Sequence, residues 1–131
     1  MAELKIAIAE DNPLMLELLS SILEAENGFQ VVGTADNGED AYQMIMEKEP
    51  DIVLLDVIMP KLDGITVLEK VREAKGGKNM PSIIMVTAAG NETVASAAFR
   101  NGASYYILKP FDREVLLDKI RLVAKERFHS K

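Results

Sequence analysis

Three carboxylates, a hydroxyl and an ammonium stand directly after apolar runs: Glu10 and Asp11 follow LKIAIA, Asp56 follows DIVLL, Thr87 follows SIIMV and Lys109 follows SYYIL. Any one of them has an ordinary explanation, because strand ends are polar and Asp opens turns. Their joint placement does not, since three acids brought together repel and Lys109 alone cannot balance them. A divalent cation would. Hard oxygen donors suit Mg²⁺, which takes one or two carboxylates, keeps several waters and accepts phosphate oxygens; Mn²⁺ or Ca²⁺ could substitute. The chemistry is then phosphoryl transfer. An ionised Asp needs no general base, its ordinary pKa being about 3.9, but the charge on a phosphoryl group repels it. A metal held by Asp11 and Asp56, with Lys109 and the Thr87 hydroxyl on the remaining oxygens, would neutralise that charge and hold the group in line. The product would be an aspartyl phosphate on Asp56.

Such convergence requires a parallel sheet, whose ligands bind beyond the carboxyl ends of the strands. Short apolar runs alternate with helical patterns throughout, as in a parallel sheet covered on both faces. The expected strands are Leu4 to Ala9, Gln30 to Ala35, Asp51 to Leu55, Ser82 to Val86 and Ser104 to Leu108. IVLL and IIMV are continuously apolar, which predicts burial on both faces, whereas the more polar QVVGTA suits an edge. Asn12 caps the first helix with Pro13 at its first position, Leu18, Leu19, Ile22 and Leu23 form its stripe, and Gly28 marks its stop. Asn91 caps a helix through Val94, Ala97, Ala98 and Phe99, with Gly102 past its end. Asp112 caps the last, with Val115, Leu116, Ile120 and Val123 facing inward. Five βα units favour an open doubly wound sheet over a closed barrel.

The 131 residues suffice for one domain, and 48% hydrophobic beside 27% charged residues is the balance of a soluble globular chain. No apolar run approaches the roughly eighteen residues of a membrane span. With no cysteine and no signal-like start, a cytoplasmic location is expected. The net charge of −6 opposes direct nucleic-acid binding. Lys125, Arg127 and Lys131 are cations that a helix dipole favours near its C-terminus. AKGGKN at 74–79 fails as a phosphate loop, because Arg72 and Asn79 stand where glycine and a hydroxyl are needed. Met44, Met46 and Met85 fit apolar patterns as gap fillers, with no redox role.

IAEDN at 8–12, LLDVIMPKLDG at 54–64, VTAAG at 86–90 and YYILKPFD at 105–112 resemble, in order and spacing, the receiver domains of bacterial two-component response regulators. LDVIMPKLDG and GASYYILKPFD are most similar to the receivers of sporulation-controlling transcription regulators of endospore-forming bacteria. The resemblance implies a receiver over 3–127, with 128–131 a tail or the start of a linker. It implies a flavodoxin-like (βα)5 fold, strand order 2-1-3-4-5, helices on both faces and a cis peptide between Lys109 and Pro110. Asp56 would accept a phosphoryl group from a histidine kinase or histidine phosphotransfer protein. Asp11, Asp56 and the Ile58 carbonyl would hold Mg²⁺, with Glu10 reaching it through water; Glu10 departs from the Asp found in many receivers. Lys109 and Thr87 would contact the phosphoryl group. Thr87 and Tyr106 would form a switch that remodels the fourth helix, fifth strand and fifth helix, for homodimerisation or release of an effector. The domain would be a signalling switch rather than an enzyme, assisting its own phosphorylation and dephosphorylation. A DNA-binding domain would follow in a full-length transcription regulator.

Three rivals have definite weaknesses. A phosphatase of the haloacid dehalogenase type wants a second Asp two residues after the nucleophile, where Ile58 stands. A flavodoxin wants a hydroxyl-rich loop after the first strand, where EDNP would repel a flavin phosphate. A receiver that is never phosphorylated would not need all five active-site positions filled.

Overall fold

The computed structural model describes residues 3–129. Ten elements alternate without exception: β1 (Leu4–Ala9), α1 (Pro13–Glu24), β2 (Phe29–Ala35), α2 (Gly38–Lys48), β3 (Ile52–Leu55), α3 (Gly64–Lys75), β4 (Ser82–Thr87), α4 (Glu92–Arg100), β5 (Ala103–Leu108) and α5 (Arg113–His129). The sheet order is β2-β1-β3-β4-β5 and every pairing is parallel. β1 has the expected ends, and each of the other strands differs from the sequence expectation by one residue at one end, the scatter typical of element boundaries. The one shift with consequence is at β4, which carries Thr87 inside the ladder.

All four residues of β3 are buried. Successive side chains point to opposite faces, so Val53 and Leu55 join α2, α3 and α4 in one core layer, while Ile52 and Leu54 join α1 and α5 in the other. Two covered faces explain the unbroken apolar run. β2 lies at an edge and exposes Gln30 and Thr34, as its polarity predicts. Met44 and Met85 are buried and Met46 packs beside them.

Helix starts follow the caps: Asn12, Asn37, Asp63 and Asn91 each accept the backbone N–H three residues on. The Asp112 carbonyl accepts the Leu116 N–H, which places Asp112 at the start of α5. Three stripe residues do not face inward: Leu18, Phe99 and Val115 are 48%, 47% and 43% exposed. The buried arc on each helix is narrower than the apolar stripe. α1 buries Leu19, Ile22 and Leu23, α4 buries only Ala98, and α5 buries Leu117 beside Leu116, Ile120 and Val123. Gly28 does not terminate α1, which ends at Glu24 with Ala25 as a right-handed cap. Its φ of +89° instead turns the chain into β2, and its carbonyl accepts the Leu4 N–H at 2.7 Å.

Arg127 does more than complement a helix dipole. It donates to the Met80 carbonyl at 2.9 Å and approaches Asp51 at 4.0 Å, tying α5 to the start of β3 and β4. Lys131 lies outside the described residues. No helix among them is long and apolar enough to cross a membrane.

Candidate functional site

The strand ends bring the predicted chemistry together. Glu10 extends β1 by one ladder bond, its N–H donating to the Ala35 carbonyl at 2.9 Å, and is 1% exposed. Asp56 extends β3 in the same way, its N–H on the Ala9 carbonyl at 3.0 Å, and is 4% exposed. The parallel register therefore sets the two acids side by side. Asp11 is exposed at the start of the β1–α1 turn. Carboxylate oxygens of Glu10, Asp11 and Asp56 all lie within 4.8 Å of one another.

Lys109 reaches this cluster from the end of β5. Its Nζ donates to Glu10 Oε1 at 2.5 Å and to Asp56 Oδ2 at 2.9 Å. The other carboxylate oxygens are also held: Asn12 N–H donates to Glu10 Oε2 at 3.0 Å, and Ile58 N–H to Asp56 Oδ1 at 3.1 Å. Lys109 N–H donates to the Thr87 carbonyl at 2.9 Å, and the peptide to Pro110 is cis. No buried side-chain N or O atom among the described residues lacks a hydrogen-bond partner.

Burial pushes Glu10 above its ordinary carboxyl pKa, opposed by the bonds from Lys109 and Asn12 and reinforced by the charge on Asp56. Lys109 is also raised: burial works against its charge, but the bonds to Glu10 and Asp56 outweigh burial. The directions are compatible, because two buried carboxylates share one ammonium: burial beside Asp56 disfavours the anionic form of Glu10, while the two acids favour the charged form of Lys109.

Thr87 is fully buried and its Oγ1 accepts the Ala89 N–H at 3.2 Å. Tyr106 is half-buried in the layer of α4, with its hydroxyl donating to the Ala89 carbonyl and its ring 6.3 Å from that of Phe99. Burial and the charge of Asp56 raise the Tyr106 phenol. Tyr105 packs toward α5 on the opposite face, its ring 4.9 Å from Lys119 Nζ. Ile58, whose N–H meets the Asp56 carboxylate, is 58% exposed. A groove of about 750 Å³ at the other end of the sheet, lined by Leu4, Phe29, Ala124 and Phe128, is remote from these groups.

The donor set fits a hard divalent cation: oxygen ligands, two of them buried, with Asp11 open to solvent on one side. Two supports were not apparent from sequence. Asn12 both caps α1 and pins Glu10 through its backbone. The Glu10–Lys109 contact spans 99 residues and has no local signal.

The family profile of the response regulator receiver domain matches residues 6–121. CheY in a CheX–CheY–BeF3–Mg²⁺ complex from Borrelia burgdorferi is 32% identical, with a TM-score of 0.86 over 94% of this chain and 90% of that one. The response regulator domain of Thermotoga maritima CheB is 30% identical, with a TM-score of 0.82 over 92% and 96%. A CheY-like receiver domain protein from Methanospirillum hungatei is 25% identical, with a TM-score of 0.88 over the whole of both chains. With the predicted fold, strand order and acidic cluster in place, the chain belongs to the response regulator receiver domain family, a family of phosphorylation-activated signalling switches.

Proposed function

We propose that this receiver takes a phosphoryl group from a phosphohistidine onto Asp56 in a Mg²⁺-dependent reaction. The observation that carries the reading is the placement of Asp56. Its carboxylate is buried at the end of the central strand, bonded to Lys109 and to the Ile58 N–H, and within 4.8 Å of the Glu10 and Asp11 oxygens. A carboxylate oxygen attacks phosphorus, the P–O bond forms, the P–N bond breaks, and its electron pair leaves with the imidazole. Asp11, Asp56 and the Ile58 carbonyl would hold the ion, with Glu10 beside it; bound there, it would offset the negative charge of the phosphoryl oxygens. Lys109 supplies the protein's own positive charge. The Thr87 hydroxyl, which accepts from Ala89, still has its proton to donate to a phosphoryl oxygen.

Ala89 links this hydroxyl to the switch, since its N–H meets Thr87 and its carbonyl meets Tyr106. Drawing Thr87 toward a new dianion shifts the loop on which Tyr106 is anchored, and two states differing by a few kcal/mol respond to such a bias. The surface that changes runs over α4, β5 and α5, where Phe99, Leu108, Val115 and Leu122 are exposed apolar residues suited to a homodimer or effector contact. The donor is a histidine kinase or phosphotransfer protein. LDVIMPKLDG and GASYYILKPFD support a sporulation-type regulator of transcription, with a DNA-binding domain in the full-length protein. Ile58 and Ala89 offer no side chain to orient attacking water, so dephosphorylation is slow, and Ile58→Asn shortens the phosphoryl lifetime.

Acetyl phosphate with Mg²⁺ should add one phosphoryl mass to the wild type and none to Asp56→Ala. An unmodified wild type, or equal labelling of the variant, overturns the assignment.

A further inference from the structure

We infer that the amino end of α2 positions the phosphoacceptor loop, with Gly38 as the positioning residue; this rests on the reading of Asp56 given above. The loop from Asp56 to Asp63 contains an unusual turn. Leu62 N–H donates to the Pro60 carbonyl at 2.8 Å, closing a γ-turn around Lys61, whose φ is +72°. A γ-turn of positive φ is rare and strained, above all without glycine at its centre. Strain of this kind persists only where the surroundings impose it.

The imposing group comes from another element. Gly38 N–H donates to the same Pro60 carbonyl at 3.1 Å. Gly38 is the first residue of α2, so this N–H has no partner within its own helix and is free to hold the loop. Contact between the two backbones is close. A Cβ on Gly38 would lie 2.0 Å from the Leu62 carbonyl oxygen and 2.4 Å from the Leu62 Cβ, inside the 3.0 Å that real Cβ contacts respect. The Asn37 side chain fixes the helix start by accepting the Asp40 N–H at 2.9 Å. The start of the loop is held by the Ala9 carbonyl and Lys109 on Asp56, Val57 and Met59 pack into the core layer of α2 and α3, and Gly64 N–H closes on the Val57 carbonyl. At the strained Pro60–Leu62 turn itself, Gly38 N–H is the backbone hydrogen bond that comes from another element among the described residues. The Lys61–Glu39 pair, at 3.8 Å and largely exposed, adds little.

A side chain at 38 must push the Pro60–Leu62 turn away and shift Ile58 with it. The test is Mg²⁺ titration by calorimetry on metal-free protein, with amide exchange of Ile58 and Leu62 as a metal-independent readout. Gly38→Ala should weaken Mg²⁺ about tenfold, the size expected of a support behind metal ligands, and speed exchange at both amides. Gly33→Ala is the control. Its Cβ would crowd Met44 Sδ at 3.0 Å, so it loses stability through α2 packing but leaves Mg²⁺ affinity and loop exchange unchanged. Folded Gly38→Ala with wild-type affinity and exchange overturns the inference, as does equal weakening in Gly33→Ala. If Gly38→Ala fails to fold, Lys61→Val, which puts a β-branched residue at the strained φ, should weaken Mg²⁺ in the same way; unchanged affinity there is equally fatal. A wild type that binds no Mg²⁺, or Asp56→Ala that binds as well as the wild type, removes the site reading and this inference with it.

Discussion

Glu26, in the turn after α1, meets Arg121 at 2.5 Å and Arg113 at 3.1 Å, and its side chain is 21% exposed against nearly half for each arginine. At the strand ends Lys109 meets Glu10 at 2.5 Å and Asp56 at 2.9 Å, with exposures of 17%, 1% and 5%. The two arginines also meet Glu114 at 3.0 Å and Asp118 at 3.5 Å, so three exposed or partly exposed acids share two cations there, whereas at the strand ends Glu10, Asp56 and the adjoining Asp11 share one. Water screens the first. The second is largely shielded from water and short of positive charge, the balance expected of a site built to receive a cation. Distances of this kind do not separate a structural clamp from a reactive site; burial and charge balance do.

Removing a cation should therefore have unequal consequences. Lys109→Met leaves two buried carboxylates unpaired and should cost about 3–5 kcal/mol in urea unfolding without metal, with partial recovery in Mg²⁺. The difference from wild type has a definite pH window. Because the folded pKa of Lys109 lies above its ordinary 10.5, the stability it contributes is whole below that value and is lost as pH rises through the folded pKa. A difference that already shrinks near neutrality would contradict the assignment. Gly64→Ala tests the backbone under Asp56, since a Cβ there would lie 2.1 Å from the Asp56 carbonyl oxygen. It should cost about 1–3 kcal/mol or more by overpacking and slow phosphorylation. Asp11→Asn should act in reverse, raising metal-free stability by about 0.5–2 kcal/mol through relieved repulsion while abolishing Mg²⁺-dependent labelling. Glu26→Ala should cost no more than about 1 kcal/mol and leave labelling intact. Equal losses for Glu26→Ala and Lys109→Met would erase the contrast.

The site was legible where it depends on strand ends. Apolar runs announce β1, β3, β4 and β5, and parallel topology then brings Glu10, Asp11, Asp56 and Lys109 together, with Thr87 at the end of the neighbouring β4. Helix faces were less legible, because Leu18, Phe99 and Val115 satisfy a helical period yet lie beyond the arc the sheet covers. Gly38 was not legible at all. Asn-Gly before a helix reads as a cap and a turn, and only the packing of α2 on the Pro60–Leu62 turn shows why a side chain has no room. Such constraints arise between segments distant in sequence, where neither local propensity nor periodicity registers them.

Tyr105 and Tyr106 occupy opposite faces of β5, one toward α5 and one toward Ala89 beside Thr87. The chain has no tryptophan and three tyrosines. Its near-ultraviolet spectrum therefore comes chiefly from tyrosine, and Tyr106 is linked through Ala89 to the Thr87 hydroxyl. In the proposed switch, Tyr106 would serve as a built-in optical probe, with its neighbour Tyr105 on the strand as an internal reference.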